Sequence, residues 1–301
     1  MPQHSPPPDR PLIELRGLHR FFGDTHAVRG VSFKVYPGQV FGYIGPNGAG
    51  KTTSMRILAT LDEPSAGDAF VDGLSVVEDP DRVRRRLGFM PDYYGAYQNV
   101  SVGEYLDFFA RAYGLRGTDR RRAISYAKDF TGLEPLNHKP IDGLSKGMKQ
   151  RLALGRTMIH DPAVMVLDEP AAGLDPRARI ELREMIARLA TLGKSVLISS
   201  HILTELAEIC DSVGILEQGR LLAVGTVDEI RSRVQAQCVV TVRTLEPAAR
   251  VAEWLTTHDQ VQELTVTGDR LRFQHLGDEA AQARLLSELV GAGFSVVEFG
   301  A

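Results

Sequence analysis

At 301 residues, with 43% hydrophobic and 24% charged positions, the chain has the make-up of an ordinary globular protein with room for one sizeable domain and a smaller one. A formal net charge of −3 gives no electrostatic case for nucleic acid as the main partner. No apolar run approaches the roughly 20 residues that cross a bilayer, so the expectation is a cytoplasmic chain, any membrane role of which must come through a partner. Cys210 and Cys238 lack metal-ligand spacing and read as reduced thiols, not as a disulfide framework.

Residues 1–11 are proline-rich, have no apolar stretch of the signal-peptide kind, and are expected to form a disordered tail. From Leu12 to Leu18 the pattern alternates loosely, and Val31, Phe33 and Val35 alternate strictly before the Pro37-Gly38 turn. Gln39 to Ile44 reads as a short apolar strand that enters a glycine-rich loop, and Lys51 to Leu61 has helical spacing. Between about residues 91 and 160 helical patterns dominate, over Val102–Tyr113, Arg121–Thr131 and Gly147–Ile159, as in a helical subdomain inserted into an α/β core. The core resumes with the strand Val164–Leu167, a helix over Pro176–Thr191 and a strand over Ser195–Ser199. Such unbroken apolar runs suit strands buried on both faces of a mostly parallel sheet. A short helix near Leu203–Ile209, a hairpin turning at Gln218-Gly219 and a helical stretch from Val227 to about Val234 follow. Residues 235–301 then spell β-α-β-β-α-β, a small α+β ferredoxin-like domain beside a larger α/β domain over residues 12–234.

Gly45-Pro46-Asn47-Gly48-Ala49-Gly50-Lys51-Thr52 fits the phosphate-binding pattern G-x-x-x-x-G-K-[ST] in full, with Thr53 next in the helix. Glycines let backbone N–H groups approach phosphate oxygens, and the following helix points its positive end at the same anion. Lys51 adds a full charge at the β/γ-phosphates, and the Thr52 hydroxyl suits Mg²⁺. Asp168-Glu169 closes the strand Val164–Leu167, with Asp168 placed for the Mg²⁺ shell and Glu169 for orienting or deprotonating an attacking water. One carboxylate at the metal and one at the nucleophile is what phosphoanhydride hydrolysis needs.

Leu144-Ser145-Lys146-Gly147-Met148 leads into a helix and resembles the LSGGQ signature of the ABC ATPase family. The resemblance runs from about Leu12 to Ile230 with the family's landmarks in order, and it implies the P-loop ABC ATPase fold. It further implies that Phe22 stacks on adenine, that Asp175 belongs to the D-loop and that His201 is the switch histidine at the γ-phosphate. Ser145 and Gly147 would then face the nucleotide held by a second ATP-binding subunit. Singly, Phe22 reads as a core aromatic and His201 as a neighbour of a helix start; their joint spacing carries the assignment. Asp92 stands where the family usually has glutamine, and could still meet Mg²⁺ directly or through water. Lys146 and Met148 also depart from the signature.

On this resemblance the cofactors are ATP and Mg²⁺, and the partners are a permease on a separate chain and a second ATPase subunit, a second copy rather than a different chain. The small C-terminal domain resembles the extension on some bacterial drug- and lipid-exporter ATPases, which implies an exporter, peripheral at the cytoplasmic face of the membrane. An import ATPase, a non-transport relative acting on ribosomes or DNA, and a ligand-binding regulatory role of the C-terminal domain stay open. Arg84-Arg85-Arg86 and Arg120-Arg121-Arg122 read as solvated helix faces or as contacts to lipid or permease, and Tyr93, Tyr94 and Tyr97 as interface or core aromatics.

Overall fold

The structure is a computed structural model that describes residues 10–92, 95, 99–230, 237–277 and 279–300. Tyr93, Tyr94, Tyr97 and the expected domain boundary near residue 235 lie outside the described residues. The chain divides into two compact units, Met1–Val227 and Asp228–Ala301.

The first unit begins β1 (Ile13–Phe22), β2 (Thr25–Val35), β3 (Val40–Ile44), α1 (Lys51–Leu58), β4 (Ala66–Val71), β5 (Leu74–Ser75), α2 (Pro80–Arg86) and β6 (Leu87–Met90). It continues α3 (Val102–Ala112), α4 (Gly117–Phe130), α5 (Lys146–Thr157), β7 (Val164–Leu167), α6 (Pro176–Thr191), β8 (Ser195–Ser200), α7 (Leu203–Leu206), β9 (Ser212–Glu217) and β10 (Arg220–Thr226). An antiparallel sheet has the order β2-β1-β4-β5, and a six-stranded sheet the order β10-β9-β3-β8-β7-β6. Within the larger sheet β9, β3, β8, β7 and β6 run parallel, and every residue of β3, β7 and β8 is buried, which explains their unbroken apolar runs. Side chains from both sheets and from α1 share one core that includes Phe33, Phe41, Tyr43, Met55 and Leu197.

One expectation needs correction, and one strand has no counterpart in the sequence reading. The helix after the glycine loop stops at Leu58 and not at Leu61, because Thr60 takes a left-handed φ of 59° that a helix cannot continue through. Strand β4 carries no clear alternation in Ala66-Gly67-Asp68. Gly67 sits at φ 75°, where a Cβ would collide with the backbone carbonyl of Gly17, so two glycines replace side-chain packing where the chains approach closely.

Helices α3, α4 and α5 pack around Val102, Leu106, Ala127, Leu133 and Leu152. Helix α3 starts with a full capping box between Ser101 and Glu104. The basic clusters are partly paired: Arg84 with Asp81, Arg86 with Asp72 and Arg120 with Asp107. The carbonyls of edge strand β6 are covered by Arg156 and Thr157 at Phe89 and by His160 at Leu87. His160 also stacks on Tyr113 with ring centroids 3.7 Å apart, and burial pushes its pKa down to about 4.

In the unfolded chain that imidazole takes a proton near its ordinary value of about 6.5. The neutral, buried ring therefore contributes stability above pH ~6.5 that is lost as the pH falls toward ~4. Urea unfolding between pH 7 and 4.5 is expected to show His160→Gln losing on the order of 2–3 kcal/mol less than the parent over that window. Equal slopes for the two proteins would refute the burial of a neutral imidazole there.

The second unit contains β11 (Gln237–Thr244), a helix over Ala248–Leu255, β12 (Val261–Thr267), β13 (Arg270–Leu276), a helix over Glu279–Gly291 and β14 (Val296–Gly300). Its antiparallel sheet has the order β12-β13-β11-β14, the split β-α-β arrangement of a ferredoxin-like fold. Val240, Val242, Leu271 and Phe273 meet Val251, Leu255, Leu285 and Leu289 of the two helices in its core.

Candidate active site

Parallel α/β sheets bind ligands beyond the carboxyl ends of their strands. Here β3 runs into the glycine loop, β8 into His201, β7 into Asp168-Glu169 and β6 toward Asp92, so adjacent strands deliver every charged candidate of this group to one end of the sheet. The loop depends on its glycines. A Cβ on Gly45 would strike the Leu216 carbonyl, and Gly50 caps α1 at φ 101°, where a Cβ would strike the Ala27 carbonyl. Pro46, Asn47, Gly48 and Thr52 are exposed, Ala49 is buried and Thr53 half-buried. Lys51 is only 5% exposed, and its ammonium donates to Gly45 O at 2.6 Å and Pro46 O at 3.2 Å. An exposed turn and the amino end of α1 thus surround a fixed cation, a suitable seat for a phosphate chain.

Asp168 is fully buried. The Ser199 hydroxyl donates to its Oδ1 at 2.6 Å and accepts the Glu169 N–H at 2.8 Å, so one side chain on β8 positions both acids. Burial raises the Asp168 pKa, opposed by the hydroxyls of Ser199 and Thr52 and reinforced by the charges of Asp92 and Glu169. Its Oδ2 is buried without a well-formed hydrogen bond, although Thr52 lies beside it. A buried, unsatisfied carboxylate oxygen with the Thr52 hydroxyl beside it fits one side of a hard divalent cation's shell, although no three acids, histidines or cysteines among the described residues are gathered to hold a metal by themselves. Glu169 takes φ 46°, a left-handed conformation uncommon for a non-glycine residue and typical of functional turns. Its Oε2 lies 3.1 Å from His201 Nδ1, and its Oε1 lies 3.5 Å from Lys51 Nζ with no hydrogen bond. A carboxylate with one oxygen oriented by histidine and the other unbonded beside a cation can take a proton from water near that cation.

Ser145, Gly147 and Asp175 gather elsewhere, at the facing amino ends of α5 and α6. Ser145 caps α5 by accepting from Met148 N, and Asp175 caps α6 by accepting from Ala178 N at 2.9 Å. A Cβ on Gly147 would come within 2.9 Å of Ala178, so glycine there also serves helix packing. The Lys146 ammonium lies against Gly173. Buried Gln150 donates to Pro170 O at 2.8 Å and fastens α5 to the residue after Glu169. Phe22 is 47% exposed at the end of β1, so it is no core aromatic. The roles of Ser199 and Gln150 were missed by the motif reading, although Ser199 stands two residues before the recognised His201; they come from contacts 31 and 20 residues away.

Residues 28–172 match the family model described as ABC transporter. The Nod factor export ATP-binding protein I of Ralstonia nicotianae is 36% identical over 220 residues, 73% of this chain and 68% of that protein. The chain belongs to the ABC transporter family of ATP-binding proteins. This ABC ATPase is also 32% identical over 288 residues to the uncharacterized ABC transporter ATP-binding protein YxlF of Bacillus subtilis, covering 96% of the chain and 94% of that protein. The protein named "Probable multidrug ABC transporter ATP-binding protein YbhF" of Escherichia coli is 37% identical over 226 residues, but the chain spans only 39% of its length. A solved structure, titled as the ATP binding subunit of an ABC transporter, superposes with a TM-score of 0.67 at 32% identity, covering 74% of this chain and 93% of that one. The ABC ATPase domain binds nucleotide and hydrolyses ATP. No helix among the described residues is long and apolar enough to cross a membrane.

Proposed function

We propose that this ABC ATPase powers export through a permease on a separate chain, as a pair of copies that close head to tail on two ATP molecules at the cytoplasmic face of the membrane. Export is supported by relatives named for Nod factor export and linearmycin resistance. In this reading the loop Gly45-Pro46-Asn47-Gly48-Ala49-Gly50, with Lys51, Thr52 and Thr53, cradles the phosphates, the N–H groups coming from its residues other than Pro46. Phe22 stacks on adenine, Glu169 takes the proton of the attacking water, and His201 holds Glu169 and senses the γ-phosphate. Thr52, Asp168 and Asp92 would hold Mg²⁺, which neutralises charge on the phosphates. Ser145 and Gly147, with Asp175, complete the site of the other copy.

The observation that carries the paired reading is the division of the candidates into two groups. Lys51, Asp168, Glu169 and His201 form one bonded cluster, while Ser145 is exposed at the amino end of α5 in another. A helix amino end outside the Lys51 cluster suits an anion supplied by a second molecule. Sedimentation at several protein concentrations tests this. The Glu169→Gln protein is expected to shift to dimer with MgATP and back to monomer with MgADP, and adding Ser145→Arg is expected to block the dimer while monomer ATP binding persists. Loss of ATP binding in the Ser145→Arg monomer would refute the shared site. A Glu169→Gln protein that stays monomeric with ATP would refute pairing of identical copies.

A further inference from the structure

Phe22 stands at the end of β1 as a residue 47% exposed, but its ring is not free on both faces. The Arg20 guanidinium covers one of them, with Cζ 4.6 Å from the ring centroid. Alternate residues of a strand project to the same side, so the pairing of Arg20 with Phe22 is built into β1. Phe21, projecting the other way, stacks on His26 with centroids 3.9 Å apart. Arg20 is itself fixed from outside the hairpin: its Nη1 donates to Glu63 O at 2.8 Å. The guanidinium is therefore held as a plate between the Glu63 carbonyl and the aromatic ring.

We infer that Arg20 is a positioning residue for the nucleobase, holding the Phe22 ring ready so that adenine stacks on the face Arg20 leaves open. This rests on the reading of Phe22 proposed above. Two physical effects follow. A ring already held in one orientation has less rotamer freedom to lose when the base arrives. A cation on one face also draws electron density from the other, which favours stacking of an electron-rich purine against it. The result is a three-layer stack of guanidinium, phenyl ring and base, in which Arg20 contributes to affinity without touching the nucleotide.

The rival role for a cation here is direct attraction of phosphates, and inorganic tripolyphosphate separates the two because it has no base. Binding of ATP and of tripolyphosphate is measured for the full chain and for Arg20→Ala, Arg20→Lys, Phe22→Ala and the Arg20→Ala/Phe22→Ala double variant. Arg20→Ala is expected to weaken ATP about 3- to 10-fold and leave tripolyphosphate unchanged, which also reports an intact phosphate loop. Arg20→Lys, which keeps the cation but not the flat plate, is expected to fall between. The double variant is expected to bind ATP as Phe22→Ala does, because Arg20 acts only through that ring. Equal losses for both ligands, no loss for ATP, or additive losses in the double variant would each overturn the inference. If Phe22→Ala itself leaves ATP affinity intact, the base-stacking reading of Phe22 is what fails.

Discussion

Replacing Glu169 by glutamine is expected to lower ATP turnover about 10²-fold or more while ATP binding persists, the usual scale for loss of a positioned base. The backbone that holds this residue does not depend on its charge. The Glu169 N–H remains bonded to Ser199 Oγ, and φ 46° is a constraint that glutamine meets as glutamate does. What changes is the terminal group. In the parent, one carboxylate oxygen lies 3.1 Å from His201 Nδ1 and the other faces Lys51 at 3.5 Å without a hydrogen bond. An amide has no basicity at that position and offers N–H groups where a carboxylate only accepts. Phosphate release at saturating MgATP, read beside equilibrium binding, gives the answer. Turnover near that of the parent, or loss of ATP binding, would remove Glu169 from the role of base.

Lys51→Ala is expected to abolish measurable turnover and to weaken ATP binding at least about tenfold. A hydrogen bond to a charged partner is worth about 1.5–3 kcal/mol, and about 1.4 kcal/mol is a factor of ten. Lys51 is 5% exposed and its ammonium is bonded to two loop carbonyls, so it also supports the loop it serves. Truncation leaves the Gly45 carbonyl without that donor and the Glu169 carboxylate without its cation, and the melting temperature is expected to fall as well. Lys51→Met, which fills the volume without the charge, separates the two effects. If Met restores the melting temperature but not ATP affinity, the phosphate role stands; unchanged affinity in both variants would end it.

How much could be read from the residues depended on how local each determinant is. The glycine loop, Asp168-Glu169 and the helix Pro176–Thr191 are set by consecutive residues, and each is found where the spacing places it. The bridge from Ser199 to both acids joins two strands and leaves no mark in either stretch alone. The left-handed turn at Glu169 is invisible because glutamate does not announce it as glycine would. Strand β4 escaped because Gly67 trades side-chain alternation for close backbone approach. Phe22 shows the same limit: the residue was found by its place before Gly23, but its exposure and its guanidinium cover depend on packing.

The buried amide of Gln150 gives α5 little play against the turn that carries Glu169. Its bond to Pro170 O is 2.8 Å long, well inside the usual range that ends near about 3.2 Å, beyond which such a bond weakens. Gln150 is 3% exposed, and breaking the bond strands a dry amide and carbonyl at a cost of about 1–3 kcal/mol. Any movement that draws the helix beginning at Ser145 away from the turn at Glu169, beyond what the Gln150 side chain can follow, therefore carries that cost.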